Sequence, residues 1–312
     1  MKAIQFFAIT ALGAALFASC SNEEELATGS YPSDNLIRVT AGVNNDMTRS
    51  DEAATALNKN FSLTVVNNNN ANFSYANEIF SLNGTEWSCG KNLLWQNLTT
   101  PVKIVALYPA TAANTFSGVY SKENKSYGTI TYSVNSDQST AADADDLLLY
   151  HSANFVPKND LKEEKLDIQF NHAFCRVDIE VTIGSEFNVT NGLAENPIKG
   201  IRVEGTKTTA EIGFVSTEPS FTPTGEVTSI TPTHTQGDFT PAASATDQAV
   251  ARYSCIVIPQ TADLKVLLHT SDREFEWTGT QMKLESGKQY TLQLNMTNKS
   301  TTARKFILRE RK

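Results

Sequence analysis

Two side chains near the N-terminus invite chemistry on the chain itself. Cys20 closes the run Leu16-Phe17-Ala18-Ser19-Cys20, which resembles a lipobox, the motif after which bacterial processing acylates the thiol and cleaves before the cysteine. Phe17 replaces the aliphatic residue commoner there. Arg49 lies in Met47-Thr48-Arg49-Ser50-Asp51, a trypsin-like cut site in polar chain of the kind proteases reach. Other reactive residue types are scattered. His151, His172, His234 and His269 show no HExxH or comparable ligand spacing. No nucleophile elbow, P-loop or Gly-rich dinucleotide loop is present. Asp143, Asp145 and Asp146 cluster, but an EF-hand loop starting at Asp143 would need a glutamate where Asn154 stands. With Cys20 acylated, Cys89, Cys175 and Cys255 are left, an odd set without a CxxC pair and a poor basis for disulfides or a metal site. The expectation is a protein that is not an enzyme and holds no cofactor and no metal.

The segment before Cys20 reads as a signal peptide, residues 1–19. Lys2 supplies its positive end, and the apolar run from Ile4 to Ser19 is shorter than the roughly 20 residues a spanning helix needs. Ser21-Asn22-Glu23-Glu24-Glu25 follows, similar to the acidic tag that sends some lipoproteins to the outer face of the outer membrane; a solvated spacer is the plainer reading. The 312 residues, 40% of them hydrophobic, suffice for two domains or one large β domain with its own core. A formal net charge of -8 argues against nucleic acid, whose phosphates attract a positive field.

Strands dominate the elements that must position these residues. Ile37, Val39, Ala41 and Val43 alternate with Arg38, Thr40, Gly42 and Asn44, placing four apolar side chains on one face of a strand that needs a core to cover. Glu52 to Asn60 has the pattern of a short helix. Further strands are expected at Phe61–Val66, Glu78–Leu82, Glu86–Cys89, Val102–Tyr108, Thr129–Val134 and Asp146–Tyr150. Asn83-Gly84 marks a hairpin turn, and Val102–Tyr108, apolar on both faces, reads as a central strand. The charged, Pro-containing stretch from Asn154 to Lys165 marks a domain junction, giving an N-terminal domain over 50–158 and a C-terminal one over 159–312. Leu166, Ile168 and Phe170 have the opposite parity to Cys175, Val177, Ile179, Val181 and Ile183, which predicts a β-bulge near Asn171 to Phe174. Later strands are expected at Ile198–Val203, Thr209–Val215, Arg252–Ile258, Leu264–His269, Arg273–Trp277 and Gln289–Met296, with a long surface excursion over Glu218 to Ala245. Phe306-Ile307-Leu308, between Arg304-Lys305 and Arg309, reads as a charge-protected edge strand or a loose tail. Trp87, Trp95 and Trp277 lie in or beside apolar patterns, which favours packing over a sugar-binding platform.

Several segments, in order along almost the whole chain, together resemble the fimbrillin family of bacterial surface pilins. They are the lipobox at Cys20, Asp145-Asp146-Leu147-Leu148-Leu149-Tyr150, Leu166 through Phe174, Tyr253 through Thr261 and Leu284 through Leu292. The resemblance implies an all-β fold of two tandem transthyretin-like β-sandwich domains. It also implies export as an outer-membrane lipoprotein through Cys20, then cleavage after an arginine by an arginine-specific surface protease. Arg49 is the best match, Arg38 a poorer one within the strand pattern. Residues 20–49 would then be a propeptide carrying the anchor and the removable strand of Ile37, Val39, Ala41 and Val43. The vacated groove would accept a strand from another pilus subunit, drawn from Gln289 to Leu308, with Tyr290, Leu292, Leu294, Met296, Phe306 and Leu308 as candidate donor residues. The implied role is a structural or adhesive subunit of an extracellular pilus, with its host or bacterial surface ligand left open. The alternative is a permanently anchored surface lipoprotein that binds glycan or serves as a pilus anchor or accessory subunit.

Overall fold

The computed structural model describes residues 31–44, 57–110, 116–140, 146–297 and 300–310. Cys20, Arg49, Asp143 and Asp145 lie outside them. The described chain is all-β apart from short helical turns. In order, its strands are β1 (Arg38–Val43), β2 (Phe61–Val66), β3 (Tyr75–Asn83), β4 (Glu86–Ser88), β5 (Val102–Tyr108), β6 (Tyr120–Ser121), β7 (Ser126–Tyr127), β8 (Thr129–Ser133), β9 (Leu148–Phe155) and β10 (Lys165–His172). They continue with β11 (Cys175–Ile183), β12 (Gly200–Gly213), β13 (Ser220–Ile230), β14 (Thr233–Thr240), β15 (Ala249–Val257), β16 (Gln260–His269), β17 (Glu274–Leu284), β18 (Lys288–Met296) and β19 (Thr301–Glu310).

The N-terminal part closes into a barrel in the order β1-β10-β9-β5-β2-β3-β4 rather than stacking as a plain sandwich. The closing stave is β1, parallel to β10 on one side and bridged to β4 through Val39 and Trp87 on the other. The C-terminal part is sandwich-like: β14-β15-β11-β18-β19 faces β13-β12-β16-β17 over a core that includes Val177, Ile179, Tyr253, Val266 and Leu292. Strands β2 and β5, and the first residues of β9, are buried on both faces because two cores flank them. Leu63, Ile104 and Leu148 point into the barrel. Val66, Val105, Leu107 and Leu149 point outward into a middle core completed by Ile212, Phe214, Ile256 and Ile258 of the other half. The expected junction at 158/159 falls between β9 and β10, both barrel strands, and β8 crosses to pair with β12.

Several local expectations are corrected. The parity change after Phe170 is not a bulge: the chain leaves the barrel at His172, turns through Ala173 and Phe174 into the middle core, and enters the second half as β11. The two strands expected at Ile198–Val203 and Thr209–Val215 form one, β12. It bends at Gly205, whose φ of +90° and a Cβ position only 1.9 Å from the Asp263 carbonyl oxygen exclude a side chain. Glu218 to Ala245 is no excursion; most of it is β13 and β14, edge strands where Thr, Ser and a ladder-breaking Pro223 are tolerated. Of the expected helix at 52–60, residues 57–60 are not helical and the rest lie outside the described residues.

Candidate functional site

The seat of β1 is the most completely built site among those the sequence singles out. Its alternation works as the pattern demands: Ile37 and Val39 are buried, at 7% and 5% exposure, while Ala41 and Val43 are half-buried against the same core. Beneath them lies an aromatic floor in which the Phe61 ring centroid is 4.8 Å from that of Trp87, 5.2 Å from Phe80 and 5.7 Å from Phe170. One wall is β10, paired from Arg38↔Lys165 to Val43↔Phe170, with the Asn44 amide donating to the Phe170 carbonyl at 2.8 Å. The other wall is the segment around Leu94. The Ile37 amide donates to Leu93 O at 2.8 Å and the Trp95 amide to Asn35 O at 2.8 Å. The strand is therefore paired along its whole length to β10, and on its other edge the chain is held at its start, by the bonds of Asn35 and Ile37 and by the bridge of Val39 to Trp87.

The outer face of β1 meets a polar row on β10. Thr40 Oγ1 donates to Asp167 at 3.1 Å and Asn44 Nδ2 to Asn171 at 3.2 Å. Gly42 leaves room for the Gln169 side chain, whose Oε1 would lie 3.3 Å from a Cβ there, and Gln169 Nε2 donates to Asp167 at 2.7 Å. Lys162 Nζ is 2.7 Å from the same carboxylate. Burial opposes ionisation of Asp167, yet the hydrogen bonds from Lys162, Gln169 and Thr40 outweigh it and hold the carboxyl below its ordinary range. At the start of the strand Arg38 is engaged twice: its backbone sits in the β10 ladder and its guanidinium grips Asp34 through two hydrogen bonds. That guanidinium, with help from the Leu36 amide, lowers the Asp34 carboxyl to about 2.

The six candidate donor residues separate into two strands. Tyr290, Leu292, Leu294 and Met296 are at most 2% exposed in β18, which lies between β11 and β19 within the second core. Phe306 and Leu308 belong to β19, at the edge of that sheet, in register with Leu292 and Tyr290. The tryptophans form no shared surface. Trp95 is 2% exposed and stacks on Phe155, Trp87 packs against the barrel core, and Trp277 packs against the core of the other half. Asp146 pairs with His172 Nδ1 where the chain crosses between halves. Cys175 and Cys255 are buried, and burial pushes the Cys255 thiol well up. Among the described residues no group of three or more His, Cys, Asp or Glu could hold a metal. Sequence reasoning missed the polar row of Asp167, Gln169 and Asn171 as a partner for β1. Its alternation with Leu166, Ile168 and Phe170 is visible, but a parallel pairing across more than a hundred residues leaves no local signal.

The geometry thus defines a class: an all-β protein in which the first described strand closes a barrel and the last lies at a sheet edge. Its sequence matches the fimbrillin-like family over residues 43–306, and the chain belongs to that family. Among curated proteins none matches significantly. Solved structures share the fold. A candidate cell adhesion protein from Bacteroides ovatus is 16% identical with a TM-score of 0.57, over 89% of this chain and 98% of that one. One from Bacteroides uniformis is 15% identical with a TM-score of 0.58, over 89% and 99%. A fimbrial protein from Bacteroides vulgatus is 14% identical with a TM-score of 0.53, over 88% and 99%.

Proposed function

We propose that this chain is a non-enzymatic structural or adhesive subunit of a cell-surface pilus. It is exported as an outer-membrane lipoprotein anchored through Cys20, cut after Arg49 by an arginine-specific protease, and assembled by strand exchange into an extracellular filament. In this reading the barrel and the two-sheet half are the tandem transthyretin-like domains of the family. The observation that carries it is the position of β1. The strand alone closes the barrel between β10 and β4, rests on an apolar floor, and ends at Val43, before Arg49. A cut after Arg49 separates that stave covalently from the molecule it completes, while Arg38, held in the ladder and by Asp34, makes a poor substrate. Burial of Ile37 and Val39 contributes about 1.5–3 kcal/mol each before ordering costs, so an empty seat strongly favours a replacement strand. The edge position of β19 favours it as the donor, since extracting β18 would empty the second core. The dispersed tryptophans give the glycan-binding alternative no such support.

Treatment of the purified precursor with an arginine-specific protease tests this. Loss of the leader followed by ladders in electrophoresis and filaments in electron microscopy is the expected outcome. Cleavage that yields only inert monomer at high concentration overturns the assembly reading.

A further inference from the structure

The seat of β1 restricts what can enter it. Two positions, those of Ile37 and Val39, are buried; the next two, those of Ala41 and Val43, lie half-exposed. A replacement strand must therefore bring two apolar residues spaced by two to the deep positions. Within β19 only Phe306 and Leu308 satisfy this, because every other pair spaced by two from Ala303 to Arg309 includes a charged residue. Moving the pair one step along, to the Val39 and Ala41 positions, would put Arg304 in the Ile37 seat and desolvate its charge.

With the pair seated, the register fixes what stands at the position of Thr40, opposite Asp167. If the incoming strand runs as β1 does, Arg309 occupies that place. If it runs the other way, Lys305 does. Either direction sets a cation against a carboxylate that is only 16% exposed and that loses its Thr40 hydrogen bond when β1 departs. The parallel direction reproduces the backbone bonds that β1 makes to β10 and those that Asn35 and Ile37, just before it, make to the Leu93–Trp95 wall. It also offers Asp167 a guanidinium, whose planar fork matches a carboxylate better than an ammonium does.

Resting on the strand-exchange reading above, we infer that Asp167 selects the incoming strand. It pairs with Arg309 of a second copy of this chain, whose Phe306 and Leu308 fill the Ile37 and Val39 seats in the direction β1 now runs. Glu310 then falls at the half-exposed Ala41 position and remains hydrated.

The test uses precursor cut after Arg49 and fluorescent peptides, one of residues 33–45 and one of residues 300–312. The first must rebind, which shows that the seat survives cutting; if neither peptide binds, strand exchange itself is refuted. Binding of the first without the second refutes the donor assignment alone. When both bind, Arg309→Glu in the second peptide is expected to weaken binding at least tenfold, Lys305→Glu less than threefold. Asp167→Arg in the barrel should restore the Arg309→Glu peptide. An Arg309→Glu peptide within twofold of the parent, or a larger loss from Lys305→Glu, overturns the inference.

Discussion

Ile37 is the residue on which the β1 seat depends most directly, since it is buried against the aromatic floor and its amide is bonded to Leu93 O. Ile37→Ala should lower precursor stability by about 2–3 kcal/mol, the lower part of the range for such truncations because the seat lies at the barrel wall. The urea midpoint followed by tryptophan fluorescence measures it. A second residue-scale consequence concerns acid. Asp167 is held ionised in the folded state, so the unfolded chain binds the proton more tightly and acidification favours unfolding. Its contribution is complete above the unfolded aspartate pKa of about 3.9 and fades as pH falls through the lower folded value. As pH falls below about 4, the unfolded reference, Asp167→Asn should therefore lose less stability than the parent. Equal slopes of urea midpoint against pH in the two proteins would contradict this.

At the scale of elements, most strands are legible in the sequence, including β2 and β5, which face two cores and whose bounds match the expected Phe61–Val66 and Val102–Tyr108. The alternation of β1, β10, β11 and β18 is explicit in the sequence because each has one apolar and one polar face over most of its length. The closing role of β1 was not readable, because it depends on pairing with β10 far along the chain and with a single residue, Trp87, of β4. The same holds for the candidate site: the inward residues of β1 were legible, whereas the polar row facing its outer edge exists only once β10 lies alongside. Strand β12 failed as a prediction for another reason. Its first half lies in the sandwich core at Ile201 and Val203, its second in the middle core at Ala210 and Ile212, and the glycine bend between them looks like a break. That bend can be tested. Gly205→Ala combines a left-handed φ with a clash against Asp263 O and should destabilise by at least about 2 kcal/mol, whereas Gly225→Ala, at φ +75° with open space around it, should cost less. Thermal unfolding of the two variants side by side gives the comparison.

For the whole molecule, the middle core decides whether the halves behave as one body. It takes Val105, Leu107 and Leu149 from the barrel and Ile212, Phe214 and Ile256 from the sandwich half, so neither half can lose its fold without exposing apolar surface on the other. A polar latch reinforces the joint. Lys103 Nζ on β5 donates to the carbonyls of Phe214, Val215 and Ser216 at 2.9, 3.2 and 3.3 Å and sits 4.4 Å from the Tyr127 ring centroid. Gln138 adds a second, bonding both the amide and the carbonyl of Ile256. In the filament proposed above, such a joint lets a stiff body pass load from the proposed donor strand to the β1 seat without parting in the middle. The expected signature is a single cooperative urea transition. In a Trp277→Phe background, fluorescence reports the barrel through Trp87 and Trp95, while far-UV circular dichroism reports all the strands. The two curves should coincide. Phe214→Ala, which empties a fully buried position in the shared core, should cost about 3–5 kcal/mol and separate them, the two probes then reporting different midpoints. Separate transitions already present in the parent protein would show that the halves are coupled too weakly for this joint to carry load.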